Sequence, residues 1–297
     1  MGTRTSISFE SSLKSLDTEN WLDRKFYRPI GFQVAMSLKS TSVTPNMITI
    51  FSIFVGVAAG ILFYPVNFGW NLLGVVLLVL ANILDCVDGQ LARITGIKSK
   101  IGRVLDGLCG EIWFLTIYIV LSLRLMNQFH WGSWVFFIAL ASGASHFMQA
   151  SILDYYKTLH LYMLKGGVNS EFETSQTILM RTRSFSWKGK PAHRLIYTLY
   201  YVYTLNQEKR TPHLQSYLTY LRTNNPNGIP EKEIERFREK SLKMMPLLDL
   251  FTFNARSIVL FCAVLLNVGW LYFFCEIVVL NPLLLVAVSR YERMIID

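Results

Sequence analysis

Runs of about twenty mostly apolar residues recur six times along this chain, near residues 46–64, 70–92, 103–126, 131–156, 247–267 and 270–290. At 1.5 Å of rise per residue, each is long enough to cross the roughly 30 Å hydrocarbon core of a bilayer as a helix. Runs two to five turn polar at one end, which predicts helices that reach past the bilayer or line a watery cavity. Residues 1–19 are Ser/Thr-rich and predict a disordered tail. Residues 20–43 interleave Trp21, Leu22, Phe26, Ile30, Phe32, Val34 and Met36 with Arg24, Lys25, Arg28 and Lys39. That alternation predicts an amphipathic interfacial helix, interrupted near Pro29. Thr44 and Pro45 then supply an N-cap and a first helical position for the first span. Between runs four and five, residues 158–245 carry 14 Lys and Arg against 7 acids, a net of +7. Within them, Pro230 followed by Glu231 and Glu233 marks a helix start that feeds a basic helix into span five.

The predicted fold is therefore all-α, a polytopic membrane protein of six spanning helices with an amino-terminal interfacial helix and a helical insertion. Its expected parts are a tail (1–19), the interfacial helix (20–43), spans one to four (44–157), a basic insertion (158–245) and spans five and six (246–297).

Composition agrees, with 52% hydrophobic and only 16% charged residues. Charge placement adds an orientation. Arg93, Lys98, Lys100 and Arg103 join spans two and three, and Arg290 and Arg293 follow span six, whereas the turns 64–70 and 267–270 carry no charge. The positive-inside rule then places both termini, the insertion and the polar end of span two in the cytoplasm, with a bacterial inner membrane as the expected location. Arg124 is an exception to that pattern. Trp70, Trp131, Trp134 and Trp270 fall at the opposite ends, as interfacial aromatics do. The net charge of +9 matches anionic lipid headgroups and calls for no nucleic acid. Cys86, Cys109, Cys262 and Cys275 form no close metal-type pair and read as packing residues.

Candidate chemistry sits where span two becomes polar. Asp85, Asp88, Gly89, Ala92 and Arg93 are followed by Gly102 and Asp106. Asp85 and Asp88 share a helix face, and Asp106 arrives on the next, antiparallel helix. Acids at membrane depth mark substrate or ion sites. An oxygen-only set suits Mg²⁺ or Mn²⁺ held between carboxylates and substrate phosphates. Gly89, Ala92 and Gly102 remove side-chain bulk beside that point, and Arg93 can fork onto a phosphate. Asn46 and Thr49, three apart at the start of span one, lie on one face at the same depth; they read either as ligand contacts or as capping residues.

These residues resemble the CDP-alcohol phosphotransferase family, whose pattern is D-x2-D-G-x2-A-R-x8-G-x3-D-x3-D. Asp85, Asp88, Gly89, Ala92, Arg93, Gly102 and Asp106 match at the right spacings, seven of eight positions. Thr44 to Thr49 is similar to the family's opening of span one, and the likeness covers residues 20–157. The resemblance implies that Asp85, Asp88 and Asp106 hold one or two Mg²⁺ or Mn²⁺ ions on the diphosphate of a CDP-linked donor such as CDP-diacylglycerol. It further implies that Asn46, Thr49, Gly89, Ala92 and Gly102 surround the nucleotide while Arg93 meets the phosphates. The family transfers a phosphoalcohol to an acceptor hydroxyl, releases CMP and often forms homodimers.

The eighth position departs from the pattern: Gly110 stands where the family has its fourth aspartate, a base and metal ligand. Glu111, if the helix bulges, or His146 on span four could serve as base alongside Asp106; the alternatives are a changed residue or a pseudoenzyme that binds CDP-lipid without turnover. For a phosphorylated acceptor, Arg256 near the polar end of span five and Lys157 at the end of span four supply cations, although Lys157 also reads as a partner of Asp154. Among the acceptors that the family uses, the resemblance points to inositol phosphate or glycerol phosphate for an Arg-containing six-helix form, with the phosphatidylinositol-phosphate synthase-like branch favoured; a plain alcohol is the other acceptor class.

Overall fold

The structure is a computed structural model that describes residues 8–97, 100–167, 172–186, 189, 191–226 and 228–296. The side chains of Lys100, Ile101, Arg103, Val104, Asp106 and Ala192 lie outside that description. Every regular element among the described residues is helical. In chain order they are α1 (Arg28–Leu38), α2 (Pro45–Ile61), α3 (Phe68–Thr95), α4 (Lys100–Gln128), α5 (Val135–Leu164) and α6 (Ser175–Arg183), then α7 (Pro191–Lys209), α8 (Pro212–Asn224), α9 (Glu231–Leu248), α10 (Phe253–Leu265), α11 (Trp270–Phe274) and α12 (Leu280–Ile296).

Five helical runs are long and apolar enough to cross a membrane: Phe68–Thr95, Gly107–Gln128, Val135–Leu164, Glu231–Leu265 and Trp270–Ile296. The shorter apolar helix α2 has 17 residues, about 26 Å of rise, at the lower end for a span. This is an integral membrane protein. α2 starts as its sequence dictates, with the Thr44 side chain accepting from the backbone N–H of Met47 and Pro45 at the first helical position. The insertion folds into α6 to α9, and Glu231 and Glu233 occupy the first turn of α9.

Two expectations for the amino-terminal region change. The interruption falls before Pro29: a π-helical turn, Asp23–Tyr27, leads directly into α1, which carries Pro29 in its first turn. In the tail read as disordered, Glu10–Ser12 forms a 3₁₀ turn with Ser12 fully buried.

The chain divides into two compact units, residues 1–146 with 253–278, and residues 147–252 with 279–297. In the first unit, α2 packs on both α3 and α4 around Phe63, Leu78, Trp113, Ile117, Leu121 and Leu260. Close approach depends on Gly56: a Cβ there would fall 2.2 Å from the Trp113 ring. Arg124, the exception to the charge pattern, is buried and donates to the Phe63 carbonyl, the Asn71 side-chain oxygen and Asn267 Oδ1. It ties the ends of α2, α3 and α10 to α4, which explains a cation that is not exposed on a loop. In the second unit, Tyr156, Leu159, Leu214, Leu218, Phe237, Leu248 and Tyr291 form a separate core, with the Tyr156 and Tyr291 rings stacked at 3.8 Å. Glu292 on α12 accepts the backbone N–H groups of His213 and Leu214, capping the start of α8, where an anion is favoured.

Candidate functional site

α3 carries the first half of the motif on the face that meets α2 and α1. Asp88 is 3% exposed, and the Thr49 hydroxyl lies 2.5 Å from its Oδ2 and 3.1 Å from the Pro45 carbonyl. A hydroxyl has one proton, and the charged acceptor takes it in preference to a neutral carbonyl. α2 thus orients the Asp88 carboxylate through a residue read from sequence as a possible ligand contact. Asp85 is half-buried one turn earlier on α3. Asn46, in the first turn of α2, is half-buried, as are Ala92 on α3 and Gly102 on α4.

Arg93 folds back over Gly89. A Cβ at Gly89 would come within 3.3 Å of Arg93 Nη2 and 3.5 Å of Nη1, so the missing side chain makes room for the guanidinium. The Nε edge of Arg93 donates to the Ser12 backbone carbonyl, and Gln90 Nε2 donates to the Ser12 hydroxyl at 3.0 Å. The amino-terminal turn is therefore a structural neighbour of the motif. Further along the same segment, Asn254 Nδ2 on α10 donates to Asn20 Oδ1 at 2.9 Å and to Asp23 Oδ1 at 2.8 Å.

A divalent cation is a question of donor chemistry. Asp85 and Asp88 contribute carboxylate oxygens from one helix face with the Thr49 hydroxyl beside them, and this oxygen-only set fits a hard cation. Among the described residues no group of three acidic, His or Cys side chains forms a metal site; Asp106, the third acid of the motif, has its side chain outside them.

A second polar group lies on α4, α5, α10 and the π-helical turn Cys275–Val279 that follows α11. Arg256 and Glu276 form an ion pair with both side chains 1% exposed. Tyr118 Oη and His146 Nδ1 are 3.0 Å apart, and His146, 5% exposed, packs on the Phe114 ring at 4.4 Å. Glu111 is half-buried, and Arg256 lies within electrostatic range of both Glu111 and His146. The two base candidates and the leading acceptor cation thus belong to one cluster. Ser142 and Ser257 are buried with no hydrogen-bond partner for their hydroxyls among the described residues. Beside this cluster on α4, a Cβ at Gly107 or Gly110 meets no atom within 4 Å among the described residues. The position of the missing aspartate is open space.

Lys157 belongs to the second unit, where its Nζ lies 3.3 Å from Asp249 Oδ1. Sequence reasoning gave a salt bridge with Asp154 as the alternative to a ligand role for Lys157, and did not name Asp249. It also missed Glu276, Tyr118, Gln90 and Ser12. Glu276 had a usable signal, an acid inside an apolar run. Ser12 had none: its contact with Arg93 uses a backbone carbonyl, and its hydroxyl is one of many in a Ser/Thr-rich stretch.

Comparison with known proteins bears on this geometry. The family model for CDP-alcohol phosphatidyltransferase matches residues 42–218, from the start of α2 into α8 and so beyond the limit of 157 expected from the motif. The chain is 35% identical to ceramide phosphoethanolamine synthase of Drosophila melanogaster over 110 residues, 35% of this chain and 27% of that one. It is 36% identical to archaetidylinositol phosphate synthase of Pyrococcus horikoshii over 74 residues, covering 25% and 38% of the two chains. With phosphatidylinositol phosphate synthase of Mycobacteroides abscessus it shares 29% identity over 112 residues, 38% of this chain and 49% of the other. The matched segments span between about a quarter and a half of the length of these curated relatives.

Proposed function

The chain belongs to the CDP-alcohol phosphatidyltransferase family, and from that premise we propose that it transfers a phosphatidyl or other phosphoalcohol group from a CDP-linked donor to an acceptor hydroxyl. In this reaction the acceptor oxygen forms the new bond to phosphorus, the pyrophosphate bond breaks, and CMP leaves. The observation that carries the reading is the seven-position motif, with Asp88 buried and oriented by Thr49. Asp85, Asp88 and Asp106 would hold Mg²⁺ or Mn²⁺, which supplies charge neutralisation on the diphosphate. Arg93 offers its Nη edge to the same phosphates while Ser12 holds Nε. Asn46, Thr49, Ala92 and Gly102 border the space for the nucleotide.

The acceptor must lose a proton. Glu111 and His146 are the groups for that task, in a cluster where Arg256 provides positive charge and Ser142 and Ser257 provide buried hydroxyls. Since Arg256 already gives Nη1 to Glu276, an acceptor phosphate would share that guanidinium with a carboxylate. Two of the relatives are named archaetidylinositol phosphate synthase and phosphatidylinositol phosphate synthase, which favours inositol phosphate as acceptor over glycerol phosphate. The name of the ceramide phosphoethanolamine synthase adds ceramide to the acceptors worth testing. The basic link between α3 and α4 supports a cytoplasmic motif, with both ends of the sequence on that side of a bacterial inner membrane. A homodimer is part of the same proposal.

The test is release of CMP by purified protein with Mg²⁺, CDP-diacylglycerol and each acceptor in turn. Release with inositol phosphate supports the reading, and no release with any acceptor contradicts it.

Gly110 motivates a second reading, a CDP-lipid-binding protein with impaired turnover. The open space at Gly110 makes Gly110→Asp an uncluttered discriminator. General-base help is worth about 10² to 10⁴ in rate. A gain of that size in the variant supports impairment, whereas unchanged or lower turnover supports a base already in place.

A further inference from the structure

α7 is the longest helix that begins and ends inside the basic insertion, and its two sides differ. Tyr197 stacks on Phe185 at 5.2 Å, Arg181 lies over the Tyr197 ring, and Glu208 accepts the backbone N–H of Ser175 at 2.8 Å, so one side is packed on α6. The other side shows Leu195, Ile196, Leu199 and Val202 at 50%, 54%, 61% and 47% exposure. Leu195, Leu199 and Val202 follow the i, i+4, i+7 spacing of one helical stripe. Such a stripe on an aqueous surface is unfavourable, at about 25 cal/mol for each Å² of apolar area left in water.

Two contacts place α7 along a membrane span. Gln207 Nε2 donates to the Ser151 carbonyl of α5 at 2.8 Å, and the Tyr203 ring meets Phe147 of α5 at 5.7 Å. Residues 135–153 of α5 contain no Asp, Glu, Lys or Arg and rise about 28 Å, close to the thickness of the hydrocarbon core. Phe147 and Ser151 lie in the last third of that stretch, and Phe147 is itself 52% exposed, as a lipid-facing side chain is. α7 therefore docks against the lipid-facing side of a span at a depth where acyl chains are the solvent. Charge points to the same neighbour: residues 175–210 hold seven Lys and Arg against one acid, Glu208. Basic residues beside an apolar stripe match an anionic leaflet.

We propose that α7 is seated in the charged-end leaflet of the bilayer, with Leu195, Ile196, Leu199 and Val202 among acyl chains and the flanking arginines at anionic headgroups. The insertion is then a lipid-engaged module rather than a purely aqueous cap. Full-length protein with Cys262→Ser and Cys275→Ser, spin-labelled at Leu199→Cys or Val202→Cys, is reconstituted in phosphatidylcholine vesicles containing phosphatidylglycerol. Collisions of the label with oxygen and with a water-soluble nickel chelate are then compared. The expected result is several-fold greater relaxation by oxygen than by the chelate at both positions. Relaxation dominated by the chelate means an aqueous helix and overturns the proposal. Low collision with both reagents together with dipolar broadening means that a second copy covers the stripe, and this also overturns it.

Discussion

A single buried pair shows how residue-scale chemistry constrains the cluster on α4, α5, α10 and the π turn after α11. Arg256 and Glu276 come from separate apolar runs, and removal of either takes from the other its buried ion-pair partner. Breaking a buried pair costs about 3–5 kcal/mol, whereas replacing both members with apolar residues of similar volume is often neutral. Arg256→Ala is therefore expected to lower the thermal midpoint in detergent markedly, and the double variant Arg256→Met, Glu276→Leu to recover most of it. A double variant as unstable as the single one would show that the pair is not the unit of stability. Thr49 and Asp88 illustrate what was legible at this scale: the spacing of Asn46 and Thr49 on one helix and of Asp85 and Asp88 on the next put each pair on one face, whereas the hydrogen bond from Thr49 to Asp88 between the helices was not named. The Nε of Arg93 on the Ser12 carbonyl was not legible either, because pairing a guanidinium with a distant backbone oxygen leaves no trace in residue type.

Elements were more legible than contacts, since the hydrophobic period reports burial directly while partner choice depends on packing. All six apolar runs correspond to helices, and the Thr44-Pro45 start and the acidic first turn of α9 follow local rules that need no tertiary information. The π turn at Asp23–Tyr27 was invisible because Pro29, the obvious breaker, fits the first turn of α1. Arg124 marks the opposite case, a charge that stood out from sequence only as an exception to the positive-inside pattern, when α2, α3 and α10 all end on it. Each orphaned acceptor costs about 1–3 kcal/mol. Arg124→Leu should therefore destabilise the protein by about 3 kcal/mol or more in chemical unfolding. Arg124→Lys should restore only part, because an ammonium lacks the planar fork that reaches several oxygens at once. A fully stable leucine variant would remove this knot from the account.

At the scale of the whole molecule, a family motif on α3 and α4 shares the first compact unit with a polar cluster on α4, α5, α10 and the π turn after α11, and a basic insertion forms much of the second. The motif made the family readable from about twenty residues, but the acceptor was not, because the groups that would choose it come from helices far apart in sequence. Metal-dependent turnover joins these parts into one claim. The most direct measurement is CMP release from CDP-diacylglycerol by purified protein as Mg²⁺ is removed with EDTA and restored, beside an Asp88→Asn variant whose fold is checked by thermal melting. The account predicts release that vanishes and returns with Mg²⁺ in the unaltered chain and falls at least about a thousandfold in the folded variant, the scale expected when metal-assisted charge stabilisation is lost. Release that ignores EDTA, or that survives in Asp88→Asn, would contradict it.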